Sequence, residues 1–225
     1  MIELNSFLNM DCMDGMKEFP DKYFELAIVD PPYFDGPNKP GYYGMDVSKT
    51  KVKRQSYSII SEWKVPTQTY YDELVRVSKN QIIWGINYYN FIGVPSGRII
   101  WDKNKNPSCT FSDGEIASCS FIDTVKFFRF TWDGFIQENM KDKEIKIHPT
   151  QKPIELYAWL LTRYATKGDK ILDTHVGSAS SLIACHNLGF DYVGFELDPD
   201  YYRMANERLW AVKAQTTIFD FIERR

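Results

Sequence analysis

The chain has few residues that could build a metal centre or a disulfide framework. Its four cysteines, Cys12, Cys109, Cys119 and Cys185, form no CxxC pair, and its three histidines stand at no metal-ligand spacing. A zinc site is argued against, no metal is expected, and the thiols read as buried side chains. No apolar run approaches the roughly 18 residues of a membrane helix. The opening "MIELNSFLNMDC" lacks a basic region followed by an apolar stretch, so the chain reads as a soluble cytosolic protein. Positive charge is not in excess either. With a net charge of -3 there is no global basic surface for phosphates, and any nucleic-acid face must be local. Internal repeats, low-complexity tracts and a GxGxxG turn are also missing, and without that turn there is no obvious pyrophosphate cradle.

What the chain does have is apolar material: 44% of its 225 residues are hydrophobic and 16% aromatic. That is enough for one substantial core, so residues 1–225 are expected to form a single domain. Strands alternate with helical segments, the pattern of a mostly parallel sheet covered on both faces. The expected strands are "NSFLNM" (5–10), "ELAIV" (25–29), "QIIWG", "GRIIWD", "VKFFRFTW", "KILD" and "YVGFEL". Helices are expected in "MDGMKEF", over 67–78, briefly in "NYYNFI", from Ile154, in "SLIACHNLG" and in "DYYRMANERLWAV". The strand count is six or seven, with a hairpin formed near "GRIIWD" and "VKFFRFTW". Two segments have no clear period. Residues 34–60 are rich in Gly, Pro and Tyr and carry Lys49, Lys51, Lys53 and Arg54, and residues 133–147 are charged. Loops that long in a compact domain are usually functional or mobile.

Local chemistry is clearest in the last third. The residues Ile154, Tyr157, Ala158, Leu161, Tyr164 and Ala165 fall on one helical face, and Thr150 can cap its start. Strand "KILD" then enters the turn "THVGSAS" and a helix stopped by Gly189. Strand "YVGFEL" closes on Glu196, with Asp198 and Pro199 at N-cap and first-turn positions of the final helix. In an open α/β sheet a ligand lies over the carboxyl ends of the strands. There Gly177 lets a ligand approach the backbone, and Glu196 can accept hydrogen bonds from ribose hydroxyls. A nucleoside ligand without phosphates fits this turn best, and S-adenosylmethionine is the commonest of those. The bland alternative is that the glycine serves only helix–sheet packing.

Four motifs in order, "NMDCMDGMKEFPDKYFELAIVDPPY", "YYDELVRVSKNQIIWG", "HPTQKP" and "ILDTHVGSAS…GFDYVGFELDPDYYRMANERL", together resemble the amino-group DNA methyltransferases. The order is the circular one in which the catalytic motif precedes the cofactor motif. The match covers roughly residues 1–33 and 148–210, with the middle less well matched. The resemblance implies the Rossmann-like methyltransferase fold, circularly permuted, with a seven-stranded sheet in which the strands ending at Asp30 and Asp173 are neighbours. It implies S-adenosyl-L-methionine as cofactor, near Asp11, Asp30, Thr150, Gln151, Lys152, Asp173, Gly177, Ser178 and Glu196. His175 stands where the family more often has an aromatic residue, and "GSAS" replaces the commoner "GSGT".

The stretch "DPPY" is then explained chemically. An exocyclic amine on a base is a poor nucleophile because its lone pair is delocalised into the ring. Asp30 and the Pro31 carbonyl can each accept one N–H and direct the lone pair at the methyl donor. Pro31 and Pro32 fix the backbone dihedrals that aim the carbonyl. Tyr33 offers a face for a base taken out of the helix, with Phe34 as a second candidate. His148 reads as structural, since this transfer needs no histidine. Asp at the head of the motif favours adenine N6 within the family, the alternatives being cytosine N4, an RNA base, or a catalytically silent nucleic-acid-binding module. Lys49, Lys51, Lys53 and Arg54 are the expected DNA-phosphate contacts, against the default of a solvated face. Sequence readout is expected from the loops at 34–60 or 133–147, or from a second subunit in a homodimer.

Overall fold

The computed structural model describes residues 2–34, 64–105, 112–133 and 136–223, with side chains of the final helix described to residue 215. The expected basic positions Lys49, Lys51, Lys53 and Arg54, most of the 34–60 loop, and Cys109 lie outside the described residues.

Strand β1 (Ser6–Asn9) leads into helix α1 (Cys12–Lys17), and β2 (Phe24–Val29) follows. Helix α2 (Gln68–Val77) returns to β3 (Ser78–Trp84), which ends in a single 3-10 turn at Ile86–Tyr88. Then come β4 (Arg98–Asp102), β5 (Gly114–Cys119), β6 (Val125–Arg129) and a small ribbon of β7 (Trp132–Asp133) with β8 (Ile136–Gln137). The chain finishes with α3 (Ile154–Tyr164), β9 (Lys170–Asp173), α4 (Ser180–Leu188), β10 (Asp191–Glu196) and α5 (Pro199–Glu223). The main sheet has the order β1-β10-β9-β2-β3-β5-β4-β6.

Continuous apolar runs such as Leu26–Val29 make sense in the middle of that sheet, because both faces are covered. Leu26, Ile28, Ile82, Trp84 and Ile171 lie in one core with Leu156, Leu160, Leu161, Leu182 and Ile183 of α3 and α4. The alternate residues Ala27, Val29, Ile83, Leu172 and Val193 lie in a second core with Met16, Tyr70, Leu74 and Val77 of α1 and α2. Among the described residues, no helix is long and apolar enough to cross a membrane.

Strands β2 and β9 pair in parallel, Leu26 opposite Ile171, so the strands leading to Asp30 and Asp173 are neighbours as expected. Among the described residues the main sheet has eight strands rather than the six or seven expected. The unforeseen strand is β5, whose Glu115 and Ser118 interrupt its apolar character and hide it from a search for hydrophobic runs. It alone runs against its neighbours, antiparallel to both β3 and β4. The expected hairpin of "GRIIWD" with "VKFFRFTW" does not form. Strands β4 and β6 lie side by side in parallel, Arg98 opposite Val125, because β5 takes the other edge of β4 and the chain crosses over before entering β6.

Two local expectations also change. Helix α3 buries Leu156, Tyr157, Leu160 and Leu161, a face rotated from the one beginning at Ile154, because it packs on α4 as well as on the sheet. Its N-cap is Pro153, and Thr150 hydrogen-bonds His148 instead. Asp198 does cap α5, accepting from the backbone N–H groups of Asp200 and Tyr201 at 2.9 and 3.1 Å. Gly189 closes α4 in the left-handed conformation, φ 73°.

Candidate active site

The carboxyl ends of β1, β10, β9 and β2 form one rim, and the order of strands in the sheet sets the residues along it. Asp11 follows β1 and caps α1, accepting from the Met13 N–H at 2.7 Å. Glu196 ends β10, opposite Asn9. Asp173 ends β9 and Asp30 follows β2. The predicted rim residues are thus brought together from both ends of the chain.

The turn after β9 is built on Glu196. Its Oε2 accepts from the Gly177 N–H at 2.8 Å and its Oε1 from the Asp198 N–H at 3.0 Å. Gly177 has φ 57°, and a side chain there would sit 3.6 Å from the His148 ring. Gly194 of β10 lets the turn lie flat, since a Cβ there would come within 2.6 Å of Val176. Ala179, where the commoner motif has glycine, adopts the same left-handed backbone, φ 64°. Holding an alanine there carries a steric cost of about 1–2 kcal/mol. Ser178 is buried, its hydroxyl 3.1 Å from that of Ser180.

Asp173 is buried and accepts from the His175 N–H at 3.0 Å and from the Ser181 hydroxyl. Burial pushes its carboxyl up to about 7. Burial lowers His175 to about 4, so this imidazole is neutral and packs edge-on against Tyr70 as an aromatic ring would. His148 is likewise pushed down, to about 3, by burial and by Lys152, and packs edge-on against Tyr201.

At Asp30 the structure adds partners the sequence did not reveal. The Lys152 ammonium donates to Asp30 Oδ2, to Glu115 Oε2 at 2.8 Å and to the Tyr33 hydroxyl at 2.9 Å. The Tyr33 hydroxyl lies 2.6 Å from Asp30 Oδ1 and 2.8 Å from Glu115 Oε2. Glu115 Oε1 pairs with Lys103 at 2.6 Å. Burial raises the Asp30 carboxyl above its ordinary value against the pull of Lys152. Burial also opposes charge on Lys152, but Asp30 and Glu115 hold its ammonium above its usual range.

The Pro31 carbonyl accepts from the Tyr89 hydroxyl at 2.7 Å, which fixes its direction and leaves its second lone pair. Tyr33 stacks on Tyr88 with ring centroids 5.1 Å apart and 11° between planes, and Phe34 tilts against the same ring at 5.5 Å. Gly85 makes this possible. It has φ 72°, and a Cβ there would fall 2.1 Å from the Tyr33 ring. Gly85→Ala is expected to lower stability by about 1–3 kcal/mol, through left-handed strain and overpacking. Thermal unfolding checks this, and an unchanged melting temperature would contradict the packing described.

Of the remaining expected residues, Thr150 donates its N–H to His148 Nδ1 at 3.3 Å, beside Gly177. Gln151 is turned toward the preceding segment, accepting from the Ile147 N–H at 2.9 Å and donating to the Ile145 carbonyl at 3.2 Å. The residues missed by sequence reasoning are Glu115, Lys103, Tyr88 and Tyr89. A lone acid in "GEIASC" was the one available signal for Glu115.

Residues 83–207 match the family described as DNA methylase, whose members are N6 and N4 methyltransferases. The type II methyltransferase M.HpaI of Haemophilus parainfluenzae is 36% identical over 84 residues, 37% of this chain and 26% of that protein. The type II methyltransferase M.HinfI of Haemophilus influenzae is 25% identical across 93% of this chain and 69% of its own length. Similar folds occur in M1.HpyAVI, solved as a complex with SAM (TM-score 0.53, 19% identity, 90% of this chain and 98% of that one), and in the cytosine-N4-specific PvuII DNA methyltransferase (TM-score 0.58, 13% identity, 94% and 92%). A family match across more than half of the chain accompanies a rim of carboxylates at the strand ends of the same fold, and the chain belongs to the N6/N4 DNA methylase family.

Proposed function

We propose that the protein transfers a methyl group from S-adenosylmethionine to the exocyclic N6 of adenine in DNA, acting on a base taken out of the helix. The observation that carries this reading is the pairing of two acceptors, the Asp30 carboxylate and the Pro31 carbonyl, at the end of β2 beside the acidic rim. Each can accept one N–H of an exocyclic amine. Tyr89 orients the second acceptor. Adenine is favoured over cytosine N4 because the motif opens with Asp30. The similar M1.HpyAVI is solved with SAM bound, and the related M.HpaI and M.HinfI are type II methyltransferases.

The donor set suits a nucleoside that carries a cation rather than phosphates. Asp11 and Glu196 set acceptor oxygens along the rim, which suit hydroxyls and a sulfonium better than a pyrophosphate. Glu196 uses one lone pair on each oxygen for the backbone and keeps others for ribose hydroxyls. Gly177 leaves the adjacent backbone open, and Asp11 and Asp173 complete the cradle. S-adenosylmethionine, when bound, supplies a methyl group activated by positive sulfur. Asp30 need not be a strong base, because the amine becomes acidic as it is alkylated and its proton can then pass to the carboxylate or to water. Positioning and hydrogen bonds to developing charge supply most of the acceleration. An incoming base would take the place of Tyr88 on the face of Tyr33, with the exposed Tyr88 ring as its outer neighbour.

The test is transfer of labelled methyl from S-adenosylmethionine to polymer. Label is expected in unmethylated DNA and not in RNA. Label in neither, with cofactor binding intact, would instead support a silent binding module. For DNA contact, neutralising Lys51, Lys53 and Arg54 together is expected to reduce the slope of log affinity against log salt by about 2–3. An unchanged slope would return that stretch to an ordinary solvated face.

A further inference from the structure

We propose that Glu115 and Lys152, backed by Lys103, form a relay of alternating charge that positions Asp30 for the target amine, Lys152 holding its carboxylate and Glu115 tempering that pull. Neither belongs to the acceptor pair itself. Both act through Asp30, and so are positioning residues.

The geometry is specific. Lys152 has three N–H groups and three acceptors: Asp30 Oδ2, Glu115 Oε2 and the Tyr33 hydroxyl. Its side chain is 2% exposed, against 13% for Asp30 and 16% for Glu115. No donor is left for a ligand's carboxylate, so Lys152 faces the reaction centre rather than the methionine end of a cofactor. Glu115 in turn spends Oε1 on Lys103 and Oε2 on Lys152 and Tyr33. The sequence Asp30, Lys152, Glu115, Lys103 alternates in sign and sums to zero, and each charge in the row is held by its neighbour.

Such a row is an expensive way to fill space. Buried ion pairs seldom stabilise more than apolar residues of the same volume. It does control a carboxylate. Lys152 alone would make a one-to-one pair with Asp30 and compete with the amine for its lone pairs. Glu115 draws part of that ammonium away, and Lys103 keeps Glu115 charged. Tyr33 pins the other oxygen of Asp30. A carboxylate held in this way still has lone pairs for an incoming N–H.

The sign of each member's effect on Asp30 follows from its charge. The groups around Asp30 are Lys152 before α3, Glu115 of β5, Lys103 after β4, Tyr33 on its own loop, Tyr89 after the 3-10 turn, Tyr70 of α2, Tyr157 of α3 and Asp173 of β9. Of these, Lys152 is the cation in contact with Asp30. Glu115 is the anion sharing that cation.

The test is titration of carboxyl-¹³C-aspartate-labelled protein by NMR, with the Asp30 signal assigned by Asp30→Asn, alongside the pH dependence of kcat at saturating cofactor and DNA. In Lys152→Met the Asp30 midpoint and the acid limb of kcat are expected to move up together by about 1–3 pH units. In Glu115→Gln, which is close to isosteric, both are expected to move down. Lys152→Arg should bring the limb back toward the wild-type position. A Lys152→Met protein that raises KM for the cofactor while leaving the Asp30 midpoint in place would overturn the relay and return Lys152 to the cofactor. So would a Glu115→Gln midpoint that stays put or rises. The relay is a positioning device for amine methylation only if Asp30 is the acceptor proposed above. Loss of transfer in the wild-type protein would count against that function, whereas the NMR midpoints judge the relay whether or not transfer occurs.

Discussion

Replacing Asp30 with alanine is expected to reduce methyl transfer by at least about 10²–10³-fold, the range for losing a preorganised polar partner of the reacting group. Cofactor affinity should stay within about 3-fold, since the proposed function gives the donor's ribose to Glu196, with Asp11 and Asp173 completing its cradle. The fold should survive. Lys152 keeps Glu115 and Tyr33 as partners, so no buried ammonium is orphaned. Single-turnover kinetics with saturating S-adenosylmethionine and DNA separate the chemical step from binding. Turnover within about 3-fold of wild type would remove Asp30 from the mechanism. Asp30→Asn sharpens the test, because it keeps one acceptor oxygen and loses the charge.

The second large effect is expected at Glu196. Its carboxylate holds the Gly177 and Asp198 backbone N–H groups, and in the proposed function it also receives the ribose hydroxyls, so Glu196→Ala is expected to remove ligand contacts and loosen the turn. Two hydrogen bonds to a charged group, at about 1.5–3 kcal/mol each, imply a loss of at least about 10²-fold in affinity. Calorimetry with S-adenosylhomocysteine measures this without turnover. An unchanged Kd would mean that the nucleoside does not sit over β10. A Glu196→Gln variant, which retains one acceptor oxygen, is expected to fall between the two.

Sequence reading reached the ends of β2, β9 and β10 because their chemistry is local. "DPPY" cannot continue a strand, and "ILDTHVGSAS" and "GFELDPD" each place an acid at the end of an apolar run. The neighbouring of β2 and β9 followed from the family's circular order. The environment of Asp30 did not follow. Lys152 stands in "HPTQKP", which resemblance links to the cofactor, and only the docking of the segment before α3 turns its ammonium onto Asp30. Glu115 arrives on β5, the reversed strand of the main sheet, which is inserted between β3 and β4 and reaches Asp30 from 85 positions along the chain. Tyr88 and Tyr89 looked like part of a short helix. The single 3-10 turn that forms instead lays one ring on Tyr33 and points the other hydroxyl at the Pro31 carbonyl. In "GSAS" Ala179 takes up the left-handed backbone that a glycine would adopt without strain.

The most direct test of the account is identification of the methylated nucleoside. Unmethylated genomic DNA is incubated with the protein and methyl-labelled S-adenosylmethionine, digested to nucleosides and analysed by mass spectrometry, with Asp30→Ala run in parallel. The account predicts label in N6-methyladenine with the wild-type protein and none with the variant. Label in N4-methylcytosine would contradict the assigned base, and equal label from the Asp30→Ala protein would contradict the mechanism.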